Sequence, residues 1–172
     1  MVEKIGGMGK LRHGQDIEFS HRMIRSGARV VQIFDSVVFH RRRTSLRRFY
    51  RQVFNWGVAR INLFKLDRGM LEPLHAAPAA AFWLAVLLTL AAAFLPALRS
   101  WWAGMCLIAL AALIVSGVHS AIKWKSLKAG LLTPPVMVLQ IAGYALGFST
   151  AFLWRVLLGR GEWTGFVKRY YR

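Results

Sequence analysis

The chain has only seven Asp and Glu residues against twenty-four Lys and Arg, so the places where carboxylates stand are informative. Two of them, Asp16 and Glu18, lie in GQDIEFSHRMIRSG (14 to 27), at the mouth of a glycine-containing loop, with Arg22 following at helical spacing. A carboxylate at the start of a helix suits proton abstraction from a hydroxyl, because the helix N-terminus favours negative charge there. The same position serves a second purpose: Asp16 can cap a helix running from Ile17 to about Ser26, with Ile17, Met23 and Ile24 facing inward and Gly27 as the stop. Spacing alone leaves both readings open. The preceding GGMGKL resembles a phosphate-binding loop only superficially, since Leu11 stands where Ser or Thr is needed and no hydrophobic strand comes before it.

The elements that would position these groups follow in order. ARVVQIF (28 to 34) is rich in β-branched residues, DS reads as a turn, and VVF (37 to 39) reads as a second short strand that delivers His40 at its end. Arg41, Arg42 and Arg43 come next, suited either to a diphosphate or lipid phosphate or to an anionic membrane surface. From Thr44, taken as an N-cap, Leu46, Phe49, Tyr50, Val53, Trp56, Gly57, Val58 and Ile61 recur at helical spacing, while Arg47, Arg48 and Arg51 fall largely elsewhere. This predicts an amphipathic basic helix over 44–70, lying on a membrane surface.

The rest of the chain is of another character. Overall, 56% hydrophobic residues coexist with a formal charge of +17, and the two properties are segregated. Residues 76–98 carry no charged side chain, and with 101–122 they predict two membrane helices joined by a tight turn containing Pro96, Arg99 and Ser100. A third apolar run covers 131–158 and contains Gln140 and Arg155. No signal-peptide h-region appears in the first seventy residues. Basic density before the first span, and Lys123, Lys125 and Lys128 before the third, place both regions on the cytoplasmic side. A basic tail, 159–172, then falls outside if the third run crosses once. Either that run is re-entrant or interfacial, or the tail is tolerated outside. The lone Cys106, inside the second span, excludes an intrachain disulfide and a cysteine-based zinc site. Nucleic-acid binding would use the same charge, but the positive-inside rule accounts for much of it and no nucleic-acid motif is present.

Taken together, residues 14–60 resemble the C-terminal part of the catalytic domain of family 2 glycosyltransferases, the inverting GT-A enzymes, in their membrane-anchored bacterial form. The "ED" signature of that family reads here as Gln15, Asp16, Glu18 and Arg22, with Gln15 departing from the usual Glu. The resemblance implies an α/β remnant of a GT-A domain over 1–43, then the interfacial amphipathic helix over 44–70, then two to three transmembrane helices within 71–158. It implies Asp16 as the general base that deprotonates the acceptor hydroxyl, with Glu18, Arg22, Arg41, Arg43, Gln52 and Trp56 as acceptor- or donor-binding residues. Trp56 has an alternative role as a membrane anchor, and the family's Arg-Trp pair is absent. His40 matches a ligand of the divalent metal, Mg²⁺ or Mn²⁺, that sits on the donor diphosphate; without the resemblance, a lone His at a strand end reads more readily as a polar surface residue.

The only aspartates are Asp16, Asp35 and Asp67, so no Asp-x-Asp donor motif exists in these residues. The chain therefore reads as the C-terminal fragment of a longer enzyme, with the main metal ligands in a separate donor-binding half. The implied activity is transfer of a sugar from a nucleotide-sugar donor to a lipid-linked or polysaccharide acceptor, at the cytoplasmic face of a bacterial inner membrane. The competing expectation is a small, basic, multi-pass membrane protein that binds anionic lipid or a partner subunit without catalysis.

Overall fold

A computed structural model describes residues 2–29, 31, 33–39 and 45–167. Among these residues every regular element is helical, in the order α1 (Gln15–Arg25), α2 (Leu46–Leu66), α3 (Pro73–Phe94), α4 (Arg99–Lys123) and α5 (Leu127–Phe152). A short 3₁₀ turn, Arg68–Met70, precedes α3; another, Pro96–Leu98, joins α3 to α4; a π-helical turn, Leu153–Leu157, prolongs α5.

This corrects the expected α/β remnant. ARVVQIF and VVF form no strand among the described residues; a turn bonded from the Ser36 amide to the Ile33 carbonyl, at 3.4 Å, is the local structure there. The reason is physical. Two short strands with no third to pair with and no helix to cover them are marginal in water, and here Ile33, Phe34, Val37, Val38 and Phe39 stay exposed, Phe39 at 96%. His40, Arg41, Arg43 and Thr44 lie outside the described residues.

The start of α1 also differs from expectation. Gly14 is the N-cap, at φ 80°, and Asp16 is the second helical residue with no capping bond of its own. At that positive φ glycine is favoured, and a side chain on residue 14 would press on Leu63 of α2, 3.2 Å away. The helix ends as expected, with the Gly27 amide bonded to the Ile24 carbonyl. Of its three inward candidates, Ile17 and Ile24 are exposed and Met23 is half-buried.

Three helical stretches are long and apolar enough to cross a membrane: Pro73–Phe94, Pro96–Lys123 and Leu127–Leu157, with mean hydropathy 2.0, 2.2 and 1.7. They overlap the expected spans at 76–98, 101–122 and 131–158. Arg99 closes the first turn, donating from Nε to the Ala92 carbonyl at 3.3 Å, and Trp102 donates to Thr89 at 3.2 Å. Ser126 caps α5 through the Ala129 amide.

The core sits where α2 crosses α5. Val53, Gly57, Val58, Ile61 and Leu63 of α2 are buried, and Val58 and Ile61 form one buried cluster with Ala79, Ala145, Phe148 and Ala151. The approach is backbone to backbone. A Cβ on Gly147 would meet the carbonyl group of Phe54, with the carbon 2.8 Å away, and one on Gly57 would meet the Phe148 amide nitrogen at 2.6 Å. Small residues at such crossings let helices gain van der Waals contact over their whole length. Arg47, Arg48 and Arg51 project away from this seam and are exposed.

Candidate functional site

The site is built on a loop that α1 holds in place. Arg22 donates to the Gly7 carbonyl at 2.7 Å, to the Ile5 carbonyl, and to both carboxylate oxygens of Glu18, the Oε2 contact being 2.9 Å. The Glu18 pair raises the basicity of Arg22, mainly through that hydrogen bond. Glu18 and Arg22 therefore spend their charge on each other and on the glycine-rich loop. Leu11 anchors the end of that loop in a small buried cluster with Leu63 and Met70.

A second set of bonds fixes α1 to the end of α2. Asp67 accepts from His21 Nε2 at 3.0 Å, from Arg25 and from the Gly69 amide at 2.9 Å. The His21 bond and then the Gly69 amide hold this carboxyl below its ordinary range. These three side chains were not singled out in the sequence, because a spacing of forty-six residues between His21 and Asp67 carries no local signal.

The segment after α5 folds back over α2. Asn62 donates to the Trp163 carbonyl at 2.8 Å; Asn55 donates to the Phe166 carbonyl and accepts from the Phe166 amide, both at 2.9 Å. Glu162 accepts from the Arg12 amide and His13 Nε2 donates to the Thr164 carbonyl, again both at 2.9 Å. The Phe166 ring lies 4.9 Å from that of Phe54 and 5.3 Å from the Arg51 guanidinium. This role of Asn55 and Asn62 was legible in principle: they are seven residues apart, two turns of helix, and so form one polar stripe on an otherwise packed element.

Beneath that segment, Arg155 donates from Nη1 to both the side-chain oxygen and the carbonyl of Asn62, at 2.9 and 3.2 Å. Its Nε and the Trp163 indole nitrogen are buried without a partner among the described residues.

His13 shows how this packing responds to acid. Burial, against the helping bond to Thr164, lowers its pKa below the ordinary 6.5. A depressed histidine favours the neutral form when folded, so its contribution is present above 6.5 and is lost as pH falls through the folded value. Hydrogen exchange at residues 160–167, corrected for intrinsic rates, should show faster opening at pH 5.5 than at 7.5, and His13→Gln should remove the difference. Equal opening at both pH values would contradict this.

Asp16 stands apart from these networks. It is exposed in the first turn of α1 and makes no hydrogen bond or ion pair among the described residues. Gln52 is half-buried and Trp56 is 48% exposed on α2. Neither is bonded to α1, so the structure does not join them to Asp16. Among the described residues no three His, Cys, Asp or Glu side chains gather in a way that would hold a metal ion. Comparison with family models, with curated proteins and with solved structures finds no match to this chain.

Proposed function

We propose that this chain is the acceptor-side and membrane-anchoring part of a glycosyltransferase, with Asp16 as the general base. The observation that carries the reading is the contrast among its carboxylates. Glu18, Asp67 and Glu162 are bound to protein groups, whereas Asp16, like Glu3 and Asp35, is exposed and bonded to none; of these three only Asp16 stands in the first turn of a helix, at the positive end of its dipole. A general base needs that freedom, because its proton partner is the incoming hydroxyl.

In this reading a nucleotide-sugar donor is held by polypeptide outside these residues, with Mg²⁺ or Mn²⁺ on its diphosphate. A lipid-linked or glycan acceptor presents its hydroxyl to Asp16 at the cytoplasmic face of a bacterial inner membrane. Asp16 takes the proton as the hydroxyl oxygen attacks the anomeric carbon, and the nucleoside diphosphate leaves. Glu18 and Arg22 act as positioning residues, since they fix the loop that leads into α1. The second reading, an anionic-lipid binder without catalysis, draws on the exposed Arg47, Arg48 and Arg51 of α2.

The experiment is a comparison of membranes from cells with and without the gene, each given a panel of radiolabelled nucleotide sugars. The transferase reading predicts that label from one sugar fails to enter the lipid or polymer fraction when the gene is absent. Unchanged incorporation for every sugar would remove it and leave the lipid-binding reading.

A further inference from the structure

We infer that the segment before α2 and the segment after α5 lie on the same face of the membrane, so that α5 enters the bilayer without carrying its end across. Arg12 and His13 are hydrogen-bonded to Glu162 and Thr164 at 2.9 Å. A hydrocarbon layer about 30 Å thick cannot separate groups in direct contact. Three full crossings in series would put those groups on opposite faces, so one of the three apolar stretches does not cross.

The helix that does not cross is α5. Its first part packs against the end of α4, where Gly117 and Ala121 meet Gly130 and Pro134. Its second part packs against the first half of α3: the Tyr144 hydroxyl donates to the His75 carbonyl at 2.7 Å, and Trp83 donates to Ser149 at 2.7 Å. The end of α4 and the beginning of α3 belong to one face, since α3 and α4 form a hairpin whose turn is at Pro96–Leu98. α5 thus runs from the near-face end of α4 to the near-face half of α3.

Beyond Gly143 it lies along α2, with Tyr50 against Gly143, Phe54 against Gly147 and Asn62 against Arg155. α2 carries Arg47, Arg48, Arg51, Arg60 and Lys65 and is not among the helices apolar enough to span. A charged side chain at bilayer depth is costly, which keeps α2, and with it the second half of α5, at the near surface.

The charge pattern agrees independently. With this arrangement Lys123, Lys125, Lys128 and Arg160 share the face of the basic N-terminal region, and Arg99 marks the far turn. The positive-inside rule then holds throughout. A crossing α5 would instead place Arg160 on the far side.

The test is cysteine accessibility in the full chain carrying Cys106→Ser, with single cysteines at exposed positions: Met8→Cys, Trp101→Cys or Gly161→Cys. A membrane-impermeant maleimide is applied to sealed vesicles of each orientation, and Lys125→Cys serves as a second near-face reference. We expect positions 8, 125 and 161 to label from one face and position 101 from the other. Any other grouping, above all 161 labelling with 101, overturns the inference. The readout is independent of sugar transfer, so it stands or falls apart from the proposed function.

Discussion

Gly147→Ala should lower the melting temperature of the detergent-solubilised protein by about 6–12 °C, taking roughly 3 kcal/mol for an overpacked site and about 2–4 °C per kcal/mol for a chain of this size. A single methyl suffices because it would occupy the place of the Phe54 backbone, with the Phe54 carbonyl carbon 2.8 Å and Cα 3.0 Å from the added carbon. Backbone atoms of a packed helix cannot swing aside as a flexible side chain would. The only relief is for α2 to move off α5, which opens the buried cluster of Val58, Ile61, Ala145 and Phe148. Gly104→Ala is the matched control. That glycine lies in α4 with nothing within 4 Å of the added carbon, so the change should be neutral or stabilising by up to about 1 kcal/mol, the helix-propensity difference. Equal effects at both positions would contradict the close crossing of α2 and α5.

Asn62→Leu should cost about 3 kcal/mol, since hydrogen bonds to a charged group are worth roughly 1.5–3 kcal/mol and stranded buried partners add to the loss. Asn62 is fully buried, and its amide group links two things at once: it accepts from Arg155 and donates to the Trp163 carbonyl. Removing it leaves the Arg155 guanidinium only the main-chain carbonyl of residue 62, its Nε already lacking a partner among the described residues. The double variant Asn62→Leu with Arg155→Met should recover much of the loss, because replacing both partners by apolar groups leaves fewer groups unsatisfied. Melting temperatures of the two single variants and the double close the cycle. A double variant no more stable than Asn62→Leu alone would show that Asn62 acts by shape and not through Arg155.

These two sites also show what could and could not be read from the residues in order. The membrane helices were legible because length and apolarity are local properties: 76–98 and 101–122 overlap α3 and α4, with the turn at Pro96 and Arg99 as expected. The amphipathic register of α2 was legible for Val53, Gly57, Val58 and Ile61, which are buried. What they pack against was not, because the partner lies some ninety residues away in α5. Gly143 and Gly147 show only that a close approach is allowed, without naming the helix that makes it.

The strands expected over 28–39 failed for the opposite reason. β-branched residues carry a strand signal through side-chain packing on a sheet, and among the described residues no sheet exists to receive them. At the candidate site, Asp16, Glu18 and Arg22 were legible as a group on one helix. Their division of labour was not: Glu18 and Arg22 close on the loop, and Asp16 is displaced from the cap by Gly14. The tail was the largest omission, since only the stripe of Asn55 and Asn62 hints that something polar must lie on α2.

The central proposal is that Asp16 accepts the acceptor's proton, and the initial rate of sugar transfer in native membranes tests it most directly. With the nucleotide sugar whose incorporation depends on the gene, Asp16→Asn should reduce transfer by about 10²–10⁴-fold, at unchanged protein level and membrane insertion. Asp35→Asn, the same loss of charge at another exposed carboxylate, should leave the rate within about twofold, as expected of a surface change away from the chemistry. Transfer by Asp16→Asn at the native rate would contradict the account.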